Sequence, residues 1–273
     1  MAMTGTGTSA DPFVPSTYAE FKTACETSGA YISMPTNGEW DLNEQYSSGV
    51  PAITFNNCHI AGNGFTMRNI YAENINTFSG TAEISSMDFP GINQLGGAFI
   101  HLSSSGDSFA NCRFSGQLTD AEFIKTSGYN YNATFRQCSF NFKLSGSALF
   151  CTYGNYTAQP KLYYSNVKLV GTTSASCPFQ ATMYQGSQLE GNLTSTNSGY
   201  IYLSENSTLS KVNIGLSGFS AVTGYNPSQN PIVVNSSIID NATVYSNFIS
   251  ATAEQMKDAD WLTEHGFPAY AAS

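Results

Sequence analysis

Charge is scarce in this chain: 11% of its 273 residues are charged, and only ten are Lys or Arg. With nineteen acidic residues the net charge is −9, so the clustered cations that exchange counterions with a phosphate backbone are missing and nucleic acid is not an expected partner. No run of about 18 apolar residues occurs, which argues against membrane insertion. The opening MAMTGTGTSADPF has neither a basic n-region nor an apolar h-region, so, taken as it stands, the chain is expected to be made without a signal peptide. The six cysteines, at 25, 58, 112, 138, 151 and 177, contain no Cys-x-x-Cys pair and have no His at zinc-ligand spacing. No metal is expected, and a chain of this size does not need disulfide staples, so the thiols are read as free and buried. The motifs GxSxG, HExxH and GxxxxGK[ST] are absent, and no cofactor is expected.

What is present is apolar and repetitive. A 41% hydrophobic and 13% aromatic composition supports a packed core. The stretch FANCRFSGQL (residues 109–118) returns as FRQCSFNFKL (135–144), with Phe, Cys and Phe at the same internal spacing. Small residues then mark steps of 26 or 27 at Cys58, Ser85, Cys112, Cys138, Ser165 and Gly191; after a shorter step the marks resume at Ser210 and Ser236. Two places beyond each mark sits an apolar residue: Ile60, Met87, Phe114, Phe140, Val167, Leu193, Val212 and Ile238. This is the period-two alternation of a strand, repeated once per turn of a solenoid. Leucine-rich and helical repeats lack their signatures here, which leaves a parallel β-helix, whose equivalent inward positions stack about 4.8 Å apart. On this reading the marked position is a tight inward site that accepts only a small side chain.

Glycines 62, 64, 116, 146, 171 and 191 follow the apolar positions, where the backbone bends out of the strand. The expected architecture is all-β: about eight coils of roughly 26 residues over residues 30–250, a rod near 40 Å long. Both ends carry capping signals. Residues 1–29 form a leader and a short helix with a Thr17-x-x-Glu20 capping box and an apolar face of Phe21, Ala24 and Cys25. Residues 251–273 offer Thr252-x-x-Gln255, then Met256, Ala259 and Leu262, with a stop at Gly266.

The segments GTGTSADPFVPSTYAEFKTA, SGAYISMP and EQMKDADWLTEHGFP resemble the ends of right-handed β-helix proteins of tailed-phage virions, and of related bacterial surface β-helices. The resemblance implies a right-handed solenoid that serves as a fibre, spike or capsid-decoration component. It further implies a homotrimer in contact with other virion proteins and a host surface glycan, located in the virion.

β-helices also host polysaccharide lyases and hydrolases, which need clustered carboxylates. The register makes Asp88 and Arg113 diagonal neighbours, and places Asp120 and Glu122 on one side near Lys125. These four are the weak catalytic candidates, and a surface ion pair with solvated charges is the competing reading. His59 lacks an evident orienting partner, and His101 and His265 are isolated in sequence. Tyr129, Tyr131, Tyr153, Tyr156 and Tyr163 are candidates for carbohydrate contact or a subunit interface, because exposed tyrosines supply contact area at low entropic cost. Tyr163 is expected to face outward with Tyr164 inward. The preferred function is a non-enzymatic virion component. The alternatives are a glycan-degrading β-helix enzyme and a bacterial cell-surface adhesin.

Overall fold

In this computed structural model the described residues are 3–73, 78–103, 106–126, 132–150, 160–175, 177–184, 187–197, 200–203, 208–209, 211–217, 221–224, 232–234, 239–240, 243–244, 248–250, 252, 254–255 and 258–264. Alternating sequences such as ITFNNCHIAGNGFTMR (Ile53–Arg68) run as strands whose every second side chain is buried, except where a corner shifts the phase. Stacked in parallel, they form a β-solenoid of about six turns. That is fewer than the eight coils read from the sequence. The first coil consists of two three-residue strands, Tyr31–Ser33 and Glu39–Asp41, and the last marks, Ser210 and Ser236, fall outside the described residues.

Each coil contributes to three faces. On face A the inward ladder is Ile32, Ile60, Ile84, Phe109, Phe135, Leu162 and Met183. On face B, Phe114, Phe140, Val167 and Leu189 stack in register, continuing to Val212 by backbone pairing. On face C, Ile53, Phe78, Ile100, Ile124, Phe150 and Phe179 do the same. Because like side chains sit one rung apart, their rings stack: Phe109 on Phe135 at 4.8 Å, and Phe89 on Phe114 at 5.1 Å. These ladders fill the interior as one continuous apolar cluster.

The repeat holds where it was most regular and drifts elsewhere. Cys112, Cys138, Ser165 and Ser187 occupy one corner, between faces A and B. Cys58 instead sits one corner earlier, opposite Ala82. Ser85 lies on face A opposite Ala61 and Ala110, and Gly191 lies on face B opposite Leu169. Ile60 and Leu193 accordingly belong to other ladders than Phe114, and Met87 precedes Phe89 at the corner. The cause is coil length: successive rungs are 25, 26 and 27 residues apart from Asp88 to Asn166, then contract to 22 and 23 up to Lys211.

The small residue at this corner is selected by hydrogen bonding as well as by space. The preceding residues Asn111, Gln137 and Tyr164 turn through the left-handed region, with φ of 53°, 54° and 49°. That turn takes the next N–H out of the ladder. The Cys138 N–H donates to Ser165 Oγ on the following rung (3.1 Å), and Ser165 Oγ donates to Tyr163 O (2.9 Å). Cys138 Sγ makes the corresponding contact to Arg136 O at 3.4 Å. Of the glycines, Gly62 is required by close approach, since a Cβ there would overlap Met87 Cγ and the Ser85 and Ser86 carbonyl oxygens.

The first rung is covered as the capping signals predicted. Helix α1 (Tyr18–Glu26) buries Tyr18, Phe21, Ala24 and Cys25, and Thr17 caps it by accepting from the Glu20 N–H at 3.2 Å. Glu20 reaches back to the Ser16 N–H, one residue before the expected Thr17. Phe13 pairs beside Tyr31–Ser33, so the leader adds a partner to the edge. A second short helix, α2 (Leu42–Gln45), follows Glu39–Asp41. Near the other end Thr252 and Gln255 form the reciprocal box, with Thr252 N–H donating to Gln255 Oε1 (2.8 Å) and Gln255 N–H to Thr252 Oγ1 (3.2 Å). Helix α3 (Ala259–Glu264) is capped by Asp258, whose Oδ1 accepts from the Asp260 and Trp261 N–H groups; the expected Met256 and the stop at Gly266 lie outside the described residues. Four thiols, Cys25, Cys58, Cys112 and Cys138, are free and buried, and Cys177 is buried as well; Cys151 lies outside the described residues.

Candidate functional site

The outward side of face A gathers chemistry that no short stretch of sequence contains. One row of its residues reads Tyr31, His59, Glu83, Ser108, Thr134, Lys161 and Thr182 across successive rungs. The parallel row, two residues further along each strand, reads Ser33, Ala61, Ser85, Ala110, Arg136 and Tyr163, with Tyr184 after it. Small side chains in the second row leave a depression of about 370 Å³ bordered by Tyr31, His59, Glu83 and Ser108. Tyr31 stacks on the His59 ring with centroids 4.4 Å apart, and His59 Nδ1 lies 2.8 Å from Glu83 Oε2. The carboxylate therefore orients the imidazole, a partner the sequence did not disclose.

Further along the rod the same face becomes cationic and aromatic. The Arg136 guanidinium lies 4.3 Å from the centroid of Tyr163, and Tyr163 stacks on Tyr184 at 4.3 Å with an interplanar angle of 21°. Tyr163 is thus held between a cation on one side and a ring on the other. Burial pushes its hydroxyl up to about 12, with Tyr184 adding to the shift and Arg136 opposing it, so the phenol stays protonated. Tyr163 faces outward as expected. Tyr164 also faces outward, 46% exposed, because its left-handed turn breaks the strand alternation.

The catalytic candidates separate. Asp88 and Arg113 are direct register partners on adjacent rungs of face B, not diagonal neighbours. They form a two-pronged ion pair: Arg113 Nε donates to Asp88 Oδ1 at 2.6 Å and the terminal nitrogen to Oδ2. Both carboxylate oxygens are thereby engaged. Asp120 and Glu122 do not share one side, since Asp120 sits in a left-handed corner (φ 47°) and is exposed, whereas Glu122 opens the next strand half-buried. Burial lifts the Glu122 carboxyl to about 7 against the opposing charge of Lys125, and its Oε2 is sequestered with no hydrogen-bond partner. His101 lies opposite Lys125 on the neighbouring rung, and burial lowers its pKa. Among the described residues no three His, Cys, Asp or Glu side chains group as a metal site. Tyr129, Tyr131, Tyr153, Tyr156 and His265 lie outside the described residues.

The residues that sequence reasoning missed on face A are Tyr31, Glu83 as the partner of His59, and Tyr184. The contraction of the coil that brings Tyr184 beside Tyr163 gives no local signal. No protein-family model, curated protein or solved structure significantly matches this chain.

Proposed function

We propose that this protein is a non-enzymatic structural and adhesive component of a tailed-phage virion, a rigid rod that meets a host surface glycan along face A. The observation that carries the adhesive part is the continuous outward surface from Tyr31 to Tyr184, which sets an aromatic and polar strip on a solid, apolar interior. Two features favour contact over cleavage: the Asp88 carboxylate is tied to Arg113, and Asp120 sits exposed in a corner while Glu122 is half-buried at the start of the next strand. A glycosidase needs two cooperating carboxyl groups flanking one bond, and neither arrangement supplies them. The virion placement draws on the leader and end segments that resemble phage β-helix proteins.

Antibody raised against the protein and applied to particles released by the strain that carries the gene should label tailed virions in the electron microscope. Labelling confined to the bacterial envelope would contradict the virion placement and favour the cell-surface adhesin.

A further inference from the structure

The sparse positive charge of this chain is unevenly placed. Between residues 123 and 189 there are five Lys or Arg, at 125, 136, 143, 161 and 168, and not one Asp or Glu, although the chain as a whole carries −9. Two of the five, Arg136 and Lys161, project from the outward rows of face A. Because Thr134 pairs with Lys161 and Arg136 with Tyr163, the two cations are diagonal neighbours on adjacent rungs, about 7–8 Å apart at their Cα atoms. Neither takes part in the ion pairs found among the described residues, which lie at Lys22, His59, Arg68 and Arg113.

The cation–π contact of Arg136 bears on what this part of the face is suited to bind. The guanidinium lies against Tyr163, and that ring is backed in turn by Tyr184. A guanidinium held over a ring keeps N–H donors for a ligand, while the contact restricts a side chain that otherwise loses much rotamer freedom on binding. A preset fork matches a planar carboxylate through two parallel N–H···O bonds. With Arg136 over it and Tyr184 stacked on it, the Tyr163 ring buttresses the cation in place of offering an open stacking platform. Lys161 adds a second cation one rung on, and Thr134, its register partner, adds a hydroxyl beside Arg136.

From this geometry we infer that Arg136 and Lys161 form a carboxylate-recognising subsite on face A, and that the glycan taken there is an acidic, uronate-bearing polymer. The inference rests on the glycan-contacting reading proposed above and deepens it by specifying the charge of the ligand. Acidic glycan is favoured over acidic peptide because the two cations sit on the outward rows of a parallel sheet with the Thr134 hydroxyl between them.

The test is affinity electrophoresis of the full chain through gels containing a polyuronate, the same polymer with its carboxyl groups reduced to alcohols, or polyglutamate at equal charge density. The inference predicts retardation by the polyuronate alone. Arg136→Gln with Lys161→Gln should weaken it about tenfold or more, and Arg136→Lys should recover only part of the loss, since charge returns without the fork. Thermal unfolding of each variant shows that the fold survives. Equal retardation by the reduced polymer would overturn the charge selection while leaving the glycan reading intact. Equal retardation by polyglutamate would overturn the subsite as mere polyanion attraction. No retardation in any gel would overturn the inference, and binding of the protein to intact host cells would then decide the glycan reading separately.

Discussion

Ser165 shows how much one small side chain holds. It accepts from the Cys138 N–H and donates to Tyr163 O, with Phe135 O also within reach at 3.3 Å. Its replacement by Ala leaves a buried N–H without its partner, and is expected to cost about 1–3 kcal/mol by urea denaturation. Cys138→Ser keeps the contact to Arg136 O and should cost far less. Equal losses at both positions would mean that size alone selects the residue. The buried carboxyls give a second test at this scale. Asp107 accepts from the Ala82 N–H at 2.7 Å, but its Oδ2 is buried without a partner, and burial raises its pKa from 3.8 to about 6. Glu122 is raised from 4.5 to about 7. In both cases the folded state holds its proton where the unfolded chain has lost it. The contribution is therefore largest at low pH and is lost as pH rises, through about 6 for Asp107 and about 7 for Glu122. Unfolding free energy should fall between about pH 4 and 7, and the double variant Asp107→Asn with Glu122→Gln should flatten that slope.

At the scale of elements, the stacked rungs predict where the core is least forgiving. Phe114 stacks on both Phe89 and Phe140 and touches Phe109 and Phe123 edge-on, so Phe114→Ala should cost about 3–5 kcal/mol. A peripheral truncation, Thr17→Ala, removes only the α1 cap and should cost about 1 kcal/mol. The Phe-Cys-Phe triplets made the solenoid legible because their coils keep nearly constant length and place like residues on adjacent rungs. Cys58, Ser85 and Gly191 misled for a physical reason: small residues serve corners and outward rows as well, and alternation alone does not separate these environments. The same limit applied to Asp120, Glu122 and Tyr164, where a left-handed turn resets which side a residue faces. Face A stayed hidden because its rows are assembled from strands 21 to 28 residues apart.

At the scale of the whole molecule, a continuous apolar interior carries the proposed glycan-contacting strip on face A. If the rod is a fibre or spike subunit, light scattering after size exclusion should give the mass of three chains; a single chain would favour a component that assembles only on the particle. The claim that matters most is that face A holds a glycan without cutting it. The most direct measurement is co-elution of the full chain with surface polysaccharide from intact host cells, with the molar mass of the polymer followed by light scattering over time. The account predicts co-elution that Tyr163→Ala with Tyr184→Ala abolishes, at unchanged polymer mass. A polymer mass that falls with incubation, or co-elution indifferent to those two tyrosines, would contradict it.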